Sequence, residues 1–113
     1  GMMSWSLLDK IRAAVDKHGL RIVRDKWGLA DYNGVYYCES GECCPLGALL
    51  VDKPSVSGIY IYDLMTVIGK SSEWCSGYLD GFDDCTTPTL DELLEHDFVD
   101  GYRLGKRHAK ILL

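Results

Sequence analysis

No stretch of this 113-residue chain stays apolar for the ~20 residues that a membrane-spanning helix needs. The N-terminus also lacks a basic region leading into an apolar stretch and a small-residue cleavage site. A cytoplasmic protein with no membrane partner is therefore expected, and Gly1 ahead of Met2 reads as the remnant of a cleaved purification tag. Proline is scarce, with three residues, which speaks against a disordered or fibrous chain. Lys and Arg are missing between Lys70 and Arg103, where Glu73, Asp80, Asp83, Asp84, Asp91, Glu92, Glu95, Asp97 and Asp100 fall. The net charge is −5, which argues against nucleic acid as a partner, because phosphate binding rests on clustered cations. No Gly-x-Gly-x-x-Gly or Gly-Lys-Ser/Thr loop occurs, so a nucleotide-binding loop is not expected either.

Hydrophobic residues make up 47% and charged residues 26%, the balance of a globular protein, and the length suits a single domain over residues 1–113. The acidic run gives way to Arg103, Lys106, Arg107 and Lys110. Acids early and cations late suit a helix dipole, and the same reversal offers opposite charges for self-association.

The most specific feature is a repeated pattern, aromatic-x-x-Gly-Tyr-x-x-Gly. It reads Trp74, Gly77, Tyr78 and Gly81 in one copy and Phe98, Gly101, Tyr102 and Gly105 in the other. In a helix, glycines four apart share a face, where another backbone can approach closely. Each interior glycine costs about 0.5–1 kcal/mol relative to alanine. A cost repeated four times suggests close crossing of two helices, with Tyr78 and Tyr102 flanking the contact and Trp74 and Phe98 closing its apolar end. The crossing can lie within one chain or between two, and a homodimer is one expected use of it.

Leu7, Leu8, Ile11, Ala14, Val15 and His18 recur at helical spacing, capped by Ser4 or Ser6 and closed by Gly19. Asp31-Tyr32-Asn33-Gly34-Val35 predicts a β-hairpin with a two-residue Asn-Gly turn, strands of four to six residues, and Tyr32 facing Val35 and Ala30 facing Tyr37. Arg21–Arg24 fits an extension of that ribbon or a short helix. Pro45 opens a short buried helix that runs toward Pro54. Ile61, Leu64, Met65 and Ile68 favour a helix closed by Gly69, although residues 59–62 would also serve as a strand. Ser71 or Ser72 opens the helix carrying the first glycine unit, and Thr89 with Glu92 makes a capping box. From Leu90 onward, Leu94, Phe98, Tyr102, Gly105, Ala109 and Leu112 thread one face, either of a single helix or of two broken near Glu95, with Asp97 as the new cap.

Four chemistries are readable in the side chains. Five cysteines, with no secretion signal, are expected as free or metal-bound thiols. Cys38, Cys43 and Cys44 with Cys75, Cys85 or His96 would supply zinc ligands, but Cys-x4-Cys-Cys lacks paired Cys-x2-Cys knuckles. Cys38 and Cys43 flank a turn-like loop, so an oxidised pair is geometrically conceivable. Cys44, at a helix start, has the placement of a thiol nucleophile, with His18, His96 and His108 all remote in sequence as bases. Asp80, Asp83 and Asp84 with Glu92, Glu95 or His96 have the ligand type for calcium or magnesium but not the usual loop spacing.

The expected protein is mainly α (α+β), with about five helices around one core and a single β-hairpin near residues 27–38. The leading function is a non-enzymatic interaction or regulatory module that self-associates or binds another protein, without a cofactor. The alternative is a zinc- or thiol-dependent protein centred on Cys38, Cys43 and Cys44.

Overall fold

The computed structural model describes residues 6–84 and 87–113. It is mainly helical with two small two-stranded sheets. In chain order the elements are α1 (Leu7–His18), β1 (Arg21–Ile22), β2 (Leu29–Ala30), β3 (Tyr36–Tyr37), β4 (Glu42–Cys43), α2 (Pro45–Ala48), α3 (Tyr60–Ile68), α4 (Ser72–Asp83), α5 (Leu90–Leu94) and α6 (His96–Leu112). Two compact units divide the chain, Gly1–Ser55 and Val56–Leu113.

In the first unit, Ser6 caps α1 by accepting from the Asp9 N–H, and Gly19 closes it in the left-handed region at φ 64°. The hairpin forms with a different register from the one its Asn-Gly pair suggests. Ala30 faces Tyr36 and Leu29 faces Tyr37, the strands are two residues long, and the loop takes three residues. Asp31 sets this shift. Its carboxylate accepts from the N–H groups of Asn33 (2.8 Å) and Val35 (2.9 Å), while its carbonyl accepts from Gly34. Only Gly34 then needs a positive φ, so the mirror-image turn with two such residues gives way to an ordinary turn plus a glycine bulge. Arg21–Ile22 neither extends this ribbon nor coils; it pairs in parallel with Glu42–Cys43. The pairing carries an ion pair of Arg21 with Glu42. Pro45 does open α2, capped by Cys44, but the helix ends at Ala48 rather than near Pro54, which instead bridges to Val35. Ile11, Tyr36, Cys43, Cys44, Leu46 and Leu50 are buried.

In the second unit, α3 is a helix closed by Gly69, as expected over its strand alternative. Ser71 caps α4 and Thr89 with Glu92 closes a complete capping box on α5. The chain after Leu90 is two helices, which raises the count of α-helices among the described residues to six. Their break falls at Glu95 without a side-chain cap from Asp97. Asp97 instead accepts a hydrogen bond from the Ser71 hydroxyl at 2.8 Å, tying the start of α6 to that of α4.

The glycine units meet within this one unit, and they do so reciprocally. A Cβ on Gly77 would overlap the carbonyl of Phe98, and one on Gly81 that of Tyr102. In the opposite sense, Gly101 meets the carbonyl of Trp74 and Gly105 that of Tyr78. The next nearest backbone atoms lie at 2.9–3.1 Å from each such position, so no side chain fits at any of the four. The pairings advance together along both helices, so α4 and α6 run parallel. Each glycine Cα–H faces a carbonyl oxygen, a contact worth about 0.5–1 kcal/mol, so the four contacts are of the same size as the lost helix propensity of about 0.5–1 kcal/mol per glycine. Buried Trp74, Tyr78, Phe82 and Phe98 fill the flanks, with ring centroids 5.4 Å apart for Trp74 and Tyr78.

Alanine at Gly77 or Gly101 is expected to lower unfolding stability in urea by about 1–3 kcal/mol, although alanine is the better helix former, because the helices must separate. Ser76→Ala, exposed on the same helix, is expected to be neutral or slightly stabilising.

Candidate functional site

Parallel packing of α4 on α6 obliges the chain to travel back along their length between them, and α5 lies on that return. Its helix is too short to bury both faces. Leu90, Leu93 and Leu94 are left 81%, 53% and 80% exposed. The sequence periodicity that threads Leu90 and Leu94 onto one core face with Phe98 does not survive the break at Glu95. Phe98 is buried on α6, while the two leucines face solvent.

The residues between these leucines, Asp91 and Glu92, with Glu95, line a shallow groove of about 340 Å³ together with Glu73, Ser76 and Phe98. Its rim is acidic, and Asp80 adds to the charge. Burial, and then the Glu92 carboxylate, raise the Asp80 carboxyl above the usual carboxylate range. Of the other residues with ligand potential, Asp84 closes α4 in the left-handed region and pairs with Lys106 at 2.7 Å. That pairing holds the Lys106 ammonium above its ordinary value. His96 is exposed at the start of α6. Among the described residues no three His, Cys, Asp or Glu side chains converge as a metal would require.

A second groove, of about 390 Å³, opens where α4 and α6 begin. Lys70, Trp74, Asp97, Asp100, Arg103 and Arg107 line it. It carries charges of both signs, and Lys70 lies 5.8 Å from the Trp74 ring centroid.

Two polar arrangements in the second unit have no counterpart in the sequence expectations. Tyr78, fully buried, places its hydroxyl 2.6 Å from Nδ1 of buried His108. Asp63, 3% exposed, accepts from the N–H groups of Val56 and Ser57 and from the Ser57 hydroxyl, which fixes the loop entering α3. A carboxylate six residues after a serine-glycine loop was the available signal for the second. Neither arrangement lines the two grooves described above.

In the first unit, Cys43 and Cys44 are buried and Cys38 is partly exposed, all as free thiols. Cys44 Sγ accepts from the Gly47 N–H at 3.4 Å and is 2% exposed, so it is a helix cap out of reach of a substrate. Cys38 and Cys43 touch through a side-chain hydrogen bond. Cys75 is buried in the second unit, where burial pushes its thiol up to about 11. Cys85 lies outside the described residues.

No family model matches the chain, and neither a curated protein nor a solved structure shows significant similarity to it.

A raised carboxyl marks a charge that the fold disfavours. The Asp80 contribution is therefore full below the unfolded value of ~3.9 and is lost as pH rises through the folded value. Asp80→Asn is accordingly expected to raise the urea midpoint at pH 7, with the gain shrinking as pH falls through the carboxylate range.

Proposed function

We propose that this chain is a non-enzymatic interaction module that self-associates through the leucine-and-acid surface of α5. The observation that carries the reading is the exposure of Leu90, Leu93 and Leu94 on the short helix whose Asp91 and Glu92 line an acidic groove with α4. Contiguous exposed leucines rimmed by charge are what protein contacts use, and single-chain proteins rarely leave them open.

Charge makes a second copy of the chain the occupant of this surface. The C-terminal half of α6 carries Arg103, Arg107 and Lys110, and Ile111 near its end and Leu113 just beyond it are 45% and 53% exposed. A basic, apolar-tipped helix end complements an acidic, leucine-bearing surface in both sign and hydrophobicity. The glycine faces, by contrast, are already covered within the chain, so this reading moves the expected dimer contact away from them. The reading includes a cytoplasmic location, supported by free thiols at Cys38, Cys43, Cys44 and Cys75, which suit a reducing compartment. In addition, no helix among the described residues is long and apolar enough to cross a membrane.

Sedimentation velocity over a range of protein concentrations checks the reading. The chain is expected to associate reversibly and more weakly at high salt, and Leu90→Asp with Leu94→Asp is expected to leave a folded monomer. A wild-type chain that stays monomeric at every concentration would overturn self-association.

A further inference from the structure

The thiols of Cys38 and Cys43 lie at the two ends of a six-residue segment that the backbone folds back on itself. Ser40 and Gly41 adopt consecutive left-handed conformations, at φ 57° and 69°, and the Gly41 N–H donates to the Cys38 carbonyl at 3.1 Å. The reversal brings the two side chains into hydrogen-bonding contact. Beyond the turn, Cys43 is pinned from its other side. It sits on β4 opposite Ile22, and its carbonyl accepts from the Val23 N–H at 3.0 Å.

We propose that Cys38 and Cys43 form an oxidisable dithiol, in which partly exposed Cys38 reduces a hydroperoxide and buried Cys43 resolves the product to an intramolecular disulfide.

The environments of the two sulfurs divide the roles. Cys38 is partly exposed and Cys43 is 0% exposed, so an incoming peroxide meets Cys38. The Cys43 S–H, donated to Cys38, holds the Cys38 thiol below its ordinary value. The same bond, together with burial and the nearby thiols, pushes Cys43 far upward. The accessible sulfur is thus the one favoured as thiolate, and the thiolate is the nucleophile in thiol oxidation. The third neighbouring thiol does not join them in a metal site. Cys44 Sγ is occupied by the Gly47 N–H, and no three potential ligands converge among the described residues.

In the first step the Cys38 thiolate attacks one peroxide oxygen and the O–O bond breaks. The departing alkoxide or hydroxide takes a proton from solvent, leaving Cys38 as a sulfenic acid. In the second step Cys43 sulfur attacks Cys38 sulfur. The S–O bond breaks and the hydroxide leaves as water with the proton that Cys43 gives up. Two thiols have lost two electrons to the peroxide. An external dithiol would reverse the change by attack on the Cys38 sulfur, the exposed member of the bond.

The test treats the whole chain with hydrogen peroxide, alkylates the remaining thiols and maps them by mass spectrometry. The expected result is the loss of two of the five thiols, with residues 38 and 43 in one linked peptide. Cys38→Ser is expected to abolish the rapid loss. Cys43→Ser is expected to stop at a Cys38 sulfenic acid trappable by a 1,3-dione. If Cys43→Ser fails to fold, the wild-type map and Cys38→Ser still decide. A linkage between any other pair, or peroxide consumption unchanged in Cys38→Ser, would overturn the proposal.

Discussion

The second unit depends on a contact between two backbones, with side chains taking a secondary part. Gly77, Gly81, Gly101 and Gly105 let α4 and α6 approach until each glycine Cα faces a carbonyl of the other helix. This is the close, small-residue packing that helices use when they cannot rely on interdigitating large side chains. Here the aromatics act as walls. Trp74, Tyr78 and Phe82 stack along one helix, Phe98 and Tyr102 along the other, and Tyr78 reaches past the contact to His108. Because the glycine pattern is the same in both helices, the contact is reciprocal, and reciprocity with matched direction makes the helices parallel.

Parallel neighbours cannot be joined by a short turn. The connecting chain has to run back about the length of α4, roughly 18 Å for twelve residues. α5 lies on that return, and its capping box and the break at Glu95 are what let it turn into α6. The exposed leucines are thus a consequence of the glycine contact. A segment built to span the back of a two-helix pair has little core left to face. This chain of causes links the proposed interaction surface to the glycine contact between α4 and α6.

Features that one or two residues determine were legible in the sequence. Ser6, Gly19, Pro45, Gly69, Ser71 and the Thr89–Glu92 box all mark the ends they were expected to mark, because a cap is a bond between neighbours in the chain. The glycine repeat was legible for a different reason: it carries a repeated energetic cost that only close packing offsets. Other features depended on competition. Asn33-Gly34 is a strong turn signal, but the Asp31 carboxylate offers two backbone N–H groups a better arrangement and moves the register by one residue. The parallel pairing of Arg21–Ile22 with Glu42–Cys43 joins segments some twenty residues apart, beyond any local pattern. The leucines of α5 looked like core because their spacing continues into Phe98, and only the break at Glu95 separates them. The contact of Cys38 with Cys43 was visible as a turn-like loop between them, but not the difference in exposure that gives the two sulfurs different roles.

The most direct test of the account is an isotope-filtered nuclear Overhauser experiment on an equal mixture of labelled and unlabelled chains, which separates contacts within a chain from contacts between chains. The account predicts strong cross-peaks between the α-protons of Gly77 and Phe98, and of Gly101 and Trp74, within single chains. Finding those cross-peaks only between chains, or finding none, would contradict the glycine crossing as the element on which the unit is built.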